Sequence, residues 1–487
     1  MNQEKELIDI LLDSQEWETF ECKRALAKPA SFLETIVAFA NSDGGTLVIG
    51  LEDAKKETGK NRLIGINEGL DNISDLIKLI DLEIDPRLIW SSYMIDILNK
   101  DNQHDKLAIF RILKSNDIHS LKKGDTFVRK GSQNIKIGGQ EIIRLKYEKG
   151  SISYESESSK ISSLEDLDIS ALNKYIEYLS GDISNPLQFM KDNGLAIKVS
   201  NQIEITRSGI LLFAKNPAVT LKEKCSIKIS HYFGVNPNFS GEPNFVTRPF
   251  SIEGPLYSQI EQTVDYFKSI VKSAPPRLVG AKFVSSLTIP EWVFQEAVTN
   301  AVIHRNYFIQ NDIQIRFFDD RIEVESPGTY PATITPTNIR LERFARNPMI
   351  QRTLHKYEEP PNLDIGEGVD RMYRVMNQAN LYEPLYSNPA HMPHSVQVIL
   401  LNTVKTEYWD IVSKYLDHRG TIVNAKAREL TGIADSVEMT RMFKNWVERG
   451  LIERVGEAKK SAFYRKKSQA VSEVLFSQIE NRGKNNQ

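Results

Sequence analysis

Cysteine is nearly absent. The 487 residues hold only 2, Cys22 and Cys225, far apart and without metal-ligand spacing, which excludes a disulfide scaffold and a zinc knuckle and suits a reducing compartment. A dominant charge sign is missing too. Lys and Arg number 62 against 64 Asp and Glu, a formal net charge of -2, so no chain-wide basic field draws the protein onto nucleic acid or an anionic membrane. No stretch of about 18 consecutive apolar residues occurs, and the acidic, amphipathic start MNQEKELIDILLDSQEWETF lacks the basic and apolar regions of an export signal. A cytoplasmic protein without membrane contact is expected. No period of about 20 to 50 residues repeats, which excludes a solenoid.

What is present is ordinary globular composition, 40% hydrophobic and 26% charged, at a length for about three domains. An α+β multidomain chain is expected, divided at 1–147, a Ser/Glu-rich linker at 148–163, a second unit at 164–401 opening with a helical region, a third at 402–470 and a tail at 471–487. Apolar spacing predicts helices over Lys5–Leu12 and Phe32–Ala40, and β-rich runs predict strands at Thr46–Leu51, Leu107–Leu113 and Thr126–Lys130. In the second unit, Ile313–Phe318 and Arg321–Glu325 read as a hairpin turning at Asp319-Asp320.

Strand alternation in EWETFECK puts Glu21 and Lys23 on one face and Phe20 and Cys22 on the other, towards the core. Glu16 comes one tight turn earlier, and Asp53 ends the strand TLVIGLED. Three carboxylates beside a lysine are the donor set for a divalent cation that activates water, with the lysine stabilising phosphorane charge. The same spacing equally describes solvated charges on a half-exposed sheet.

On the helix PEWVFQEAVTNAVIHRNY, Glu296 and Asn300 stand four apart on one face. A glutamate to polarise water and an amide to ligate magnesium suit phosphoanhydride chemistry. In DIGEGVDRMYRVM, Gly366 and Gly368 open a helix whose free N–H groups favour a phosphate. The last unit reads as helix, turn at Gly432, a helix over Ser436–Arg449 and a hairpin. There, Arg454, Lys459, Lys460, Arg465, Lys466 and Lys467 outnumber Glu457. Arg441 and Lys444 lie on the helix away from the apolar stripe of Met442, Phe443, Trp446 and Val447.

The segments EWETFECKRA, FLETIVAFANSDGGTLVIGLED and GDTFVRKGSQN, in that order, resemble the Schlafen/AlbA-type nucleic-acid-binding domain over roughly residues 10 to 145. In animal Schlafen proteins two glutamates and an aspartate make a metal-dependent endoribonuclease site. The resemblance implies Glu16, Glu21 and Asp53 as ligands of Mg or Mn, Lys23 as electrostatic helper, and Arg129, Lys130 and Ser132 as phosphate contacts. The loop between the halves is shorter here, so Glu52 competes with Asp53 for the aspartate's place. Residues 200 to 395, with DDRIEVESPG and ARNPMI, resemble the ATP-binding domain of the GHKL class, an α/β sandwich found fused to Schlafen/AlbA-type modules in bacterial RecG-like regulators. That likeness implies ATP as cofactor, Glu296 as hydrolytic base, Asn300 as magnesium ligand and Gly366 and Gly368 as the phosphate loop, with His304, Arg305 and Asn306 completing an HRNY element. The adenine-reading Asp-x-Gly-x-Gly box is replaced by Glu325-Ser326-Pro327-Gly328. The last unit resembles a winged helix-turn-helix, implying DNA contacts from Arg441, Lys444, Lys459, Lys460 and Arg465.

Two functions follow. One is a metal-dependent endonuclease, acting on RNA rather than DNA, under nucleotide control, with a role in defence or stress response. The other is an ATP-responsive DNA-binding transcription regulator that does not cleave. By analogy, either pairs as a homodimer or larger homo-oligomer.

Overall fold

The structure, a computed structural model, describes residues 2–179, 182–238, 241–273, 276–279, 282–285, 287–336, 338–361, 366–388, 394–455 and 463–467. It is a mixed α+β architecture of two compact units, Met1–Lys146 with Thr406–Gln487, and Tyr147–Lys405. Among the described residues no helix is long and apolar enough to cross a membrane.

The first unit is built on a four-stranded sheet in the order Phe20–Lys23, Gly45–Ile49, His104–Ile112, Trp90–Leu98. Its first pair is parallel, with Glu21 opposite Leu47, and the others are antiparallel. Every residue of Gly45–Ile49 is buried, as a continuous apolar run requires of a strand covered on both faces. Leu47 and Ile49 pack with Phe32, Ile36 and Phe39 of the helix Pro29–Asn41, while Val48 joins Phe20, Cys22 and the Leu7, Ile10 and Leu11 stripe of the helix Asn2–Asp13. Truncating a fully buried ring such as Phe39 costs about 3–5 kcal/mol. The turn entering Gly45–Ile49 needs glycine, because Gly44 has φ +76° and a Cβ there would sit 2.8 Å from the Lys114 amide nitrogen.

The C-terminal segment of this unit folds as helices Trp409–Arg419, Asn424–Thr431 and Ser436–Glu448, followed by antiparallel strands Ile452–Val455 and Phe463–Lys466. Met439, Phe443 and Trp446 repeat at helical spacing and are fully buried with Trp409. Gly432 ends the second helix at φ +76°, and the Asp435 carboxylate caps the third by accepting the Val437 amide at 2.8 Å.

The second unit carries a six-stranded sheet in the order Phe245–Ile252, Ile227–Tyr232, Ile313–Phe317, Arg321–Pro327, Ser395–Leu401, Leu385–Ser387. The expected hairpin is present: Gln314 faces Glu325, and the Phe318 amide donates to the Arg321 carbonyl at 2.9 Å. The helix Glu291–His304 packs against Arg321–Pro327 and against the helices Leu256–Ser273 and Gly368–Gln378.

Residues 148–163 are not a linker. Tyr154 and Glu155 are buried, and Ser158–Ile161 is a strand paired with Gln202–Thr206. The Glu155 carboxylate accepts the Met349 and Ile350 amides at 2.7 and 2.8 Å, capping the helix Pro348–His355. Burial pushes its pKa up to about 7, against those two hydrogen bonds. Few large aliphatics made the stretch look solvated, but an aromatic and a buried acid anchor it. At the far end the second unit runs on to Lys405, whose ammonium meets Asn377 Oδ1 at 2.9 Å.

Candidate functional site

The carboxylates of the first unit do not assemble as expected. Glu21 is buried rather than half-exposed, and both of its oxygens are engaged: Oε2 accepts Arg129 Nη2 at 2.6 Å and Oε1 pairs with Lys23 Nζ at 2.7 Å. Glu16 Oε1 instead lies near the Cys22 amide and thiol, at 3.4 and 3.5 Å. Burial, followed by repulsion from Glu21 and Asp53, raises the Glu16 pKa, so the three acids do share one field. Asp53 Oδ1 accepts the Lys55 amide at 3.0 Å, while Glu52 Oε1 takes the Asp53 amide and Lys56 Nζ at 3.1 and 3.2 Å. Among the described residues no group of three or more His, Cys, Asp or Glu is placed to hold a metal ion.

Arg129 is correspondingly not a phosphate contact. Its guanidinium is fully buried, donates to the Trp17 carbonyl from Nε and Nη2 at 3.1 and 3.0 Å and to Asn134 Oδ1 at 2.8 Å, and lies over the Phe39 ring. The ion pair to Glu21 closes a loop of more than a hundred residues that local pattern does not reveal. Lys130 next to it is exposed and Ser132 half-buried. The indole of Trp17, 63% exposed, sits over Gly131 in the same hairpin turn, about 3.5 Å from where a Cβ would be. In the C-terminal segment Arg441 and Lys444 are exposed, as expected, whereas Arg465 is paired with Glu453. Lys459 and Lys460 lie outside the described residues.

The second unit does assemble a site. A cavity of about 700 Å³, a size typical of small-molecule pockets, is lined by Glu296 and Asn300, by Ser326–Tyr330, by Gly366–Gly368 and by Arg340, Arg343, Arg346 and Arg371. Asn300 Nδ2 donates to Glu296 Oε1 at 3.0 Å, one helical turn apart. Burial raises the Glu296 pKa, while the Asn300 hydrogen bond and the Arg371 charge pull it down. A Cβ on Gly368 would lie 1.8 Å from Glu296 Oε1, so glycine lets the start of the Gly368–Gln378 helix approach the carboxylate without displacing it. All four residues named from the sequence for this pocket thus meet in it.

The floor near Gly328 is shaped by Arg346, which is buried and donates to the carbonyls of His304, Thr329 and Glu148 at 2.8, 2.6 and 3.1 Å. Burial drops its pKa to about 10, and burial next to Arg346 drops that of His304 to about 4, leaving the imidazole neutral at pH 7. Arg305 and Asn306 are structural: the Arg305 guanidinium binds the Lys224 and Asn311 carbonyls, and Asn306 Oδ1 caps the Phe308 amide at 3.0 Å. Glu325 does not line the cavity; it pairs with Arg316 Nη1 at 2.8 Å.

Residues 16–138 match the family model described as Schlafen, AlbA_2, and residues 310–400 match one described as "Putative ATP-dependent DNA helicase recG C-terminal". The chain joins a Schlafen/AlbA_2 module to an ATPase-like one. No curated protein matches it. A solved structure similar to it is that of the DIP2311 protein from Corynebacterium diphtheriae, 17% identical with a TM-score of 0.40, covering 98% of this chain and 99% of that one.

The Schlafen/AlbA_2 match contains Glu16, Glu21, Lys23, Asp53, Arg129, Lys130 and Ser132. The ATPase-like match contains Arg346, Gly366, Gly368 and Arg371, whereas Glu296 and Asn300 precede it on a helix that the fold packs against it. Arg346 and Arg371 lie within the segments ARNPMI and DIGEGVDRMYRVM but were assigned no role there, and Arg340 and Arg343, on an irregular loop, belong to no motif.

Proposed function

We propose that the chain is a nucleotide-responsive nucleic-acid-binding protein, taking ATP in the pocket of its second unit and nucleic acid on its Schlafen/AlbA_2 module and C-terminal segment. The observation that carries this reading is the cavity itself, in which the Glu296–Asn300 pair stands against the Gly366–Gly368 turn. Helix N–H groups at Gly368 suit phosphate oxygens. A magnesium ion held mainly by phosphates and water needs few protein ligands, and the Asn300 side-chain oxygen fits that part. Glu296, whose carboxyl burial pushes above its ordinary pKa, is suited to polarising a water.

Nucleic acid has a different foothold. Lys130 supplies an exposed cation and Trp17 an exposed ring for base stacking, mounted on a backbone that the buried Arg129 holds. Arg441 and Lys444 offer further exposed cations on the Ser436–Glu448 helix. The donor set of Glu16, Glu21 and Asp53 does not fit a divalent cation in this arrangement, since among the described residues no three such side chains converge and the Glu21 charge is already balanced by Lys23 and Arg129.

Calorimetric titration of the full-length protein with ATP and Mg²⁺ tests the reading. Binding that Asn300→Ala weakens at least about tenfold supports it, and a wild-type protein that binds no nucleotide refutes it.

A further inference from the structure

The cations around the pocket differ in how they are balanced. Arg340 gives Nε and Nη2 to Asp370 Oδ1 at 3.1 and 2.6 Å, and Arg374 reaches Asp370 Oδ2 at 3.1 Å. Arg346 spends its terminal nitrogens on carbonyls. Arg343 and Arg371 also line the cavity, yet among the described residues neither has a carboxylate at ion-pair distance.

Both are nevertheless positioned. The Arg343 side chain runs along Gly366, its Cδ and Nε 2.6 Å from where a Cβ on that glycine would be, and Gly366 has φ +67°. The Arg371 guanidinium carbon lies over the Trp292 ring, 4.5 Å from its centroid, a cation–π contact that positions the group without neutralising its charge. The two guanidinium groups therefore belong to opposite ends of the Gly366–Gly368 turn: Arg343 lies against its first glycine, and Arg371 comes one helical turn after its second.

We infer that Arg343 and Arg371 form a two-arginine clamp for the outer phosphates of the ligand, so that the pocket selects a nucleoside triphosphate over a monophosphate. The inference rests on the proposed nucleotide reading and adds the ligand's charge to it. A guanidinium binds phosphate oxygens through paired N–H donors, about twice as strongly as a neutral hydrogen bond does. The Arg371 charge, which acts on the buried Glu296 carboxylate, also offsets the repulsion this acid exerts on an incoming anion.

The test is calorimetry on the full-length protein with ATP, ADP and AMP, comparing wild type with Arg343→Ala, Arg343→Lys and Arg371→Ala. The expected result is affinity falling from ATP to AMP by at least about tenfold, with each alanine variant losing roughly 10- to 100-fold for ATP and less than about threefold for AMP. Arg343→Lys recovers part of the loss. Arg343 is exposed, so its replacement leaves the fold intact, and thermal melting verifies this. Alanine variants that bind ATP as tightly as wild type overturn the clamp while leaving nucleotide binding standing; equal wild-type affinity for AMP and ATP overturns it as well.

Discussion

Asn300 Nδ2 lies 3.0 Å from Glu296 Oε1, and that same oxygen fills the space in which a side chain on Gly368 would have to sit. The helix turn that presents Glu296 and the glycine that opens the next helix are therefore one unit of geometry.

Gly368→Ala tests that unit. A methyl group 1.8 Å from Oε1 displaces the carboxylate and breaks its bond to Asn300 rather than unfolding the domain, because the obstructing atom is a side-chain tip. The expected outcome is loss of ATP affinity by roughly tenfold or more, with a stability loss of about 1–3 kcal/mol. Unchanged affinity in this variant contradicts the close approach.

Arg129 and Lys130 are neighbours with opposite expected phenotypes. Arg129→Ala removes the buried one of the two cations paired with Glu21, leaving only Lys23, and is expected to cost about 3 kcal/mol, read by denaturant unfolding. Lys130→Ala leaves stability within about 0.5 kcal/mol but weakens nucleic-acid binding and reduces the slope of log K against log salt by about 1. A stable Arg129→Ala protein with selectively impaired nucleic-acid binding reverses the assignment.

Glu155 sets a pH dependence. Its carboxyl titrates near 7 in the folded protein and near 4.5 in the unfolded chain, so its stabilising contribution is whole below about pH 4.5 and disappears as pH rises through 7. Melting curves between pH 4.5 and 8 are expected to show wild type losing stability more steeply than Glu155→Gln. Parallel curves contradict a buried, proton-retaining Glu155.

Cleavage assays on labelled RNA and duplex DNA with Mg²⁺ or Mn²⁺ address the carboxylates. Because Lys23 and Arg129 balance the Glu21 charge and no three acids converge on a metal site among the described residues, the wild type is expected to cut no faster than Glu21→Ala. Metal-dependent cutting that this substitution abolishes requires the Glu21 ion pairs to open and restores the endonuclease reading.

Much of the fold was legible where the signal is local. The Asp319-Asp320 hairpin and the helix carrying Glu296 and Asn300 follow from alternation, helical spacing and turn residues within a few positions. The pocket pair was readable for the same reason, since residues four apart on a helix share a face. Glu21 was not. Its alternation gave a direction, but the hairpin strand Thr126–Lys130 that buries it arrives from over a hundred residues away, bringing Arg129. Glu155 was hidden by composition: Ser and Glu dominate its neighbourhood, and only the helix start at Pro348 shows why a buried acid is needed there. Arg343 and Arg371 have no periodic relation and become neighbours of one cavity only through the fold.

Titration of the full-length wild type with ATP and Mg²⁺, alongside Asn300→Ala, is the most direct measurement. A one-to-one heat signal that shrinks or vanishes with the substitution is expected; a flat trace for the wild-type protein, folded and at saturating nucleotide, contradicts the account.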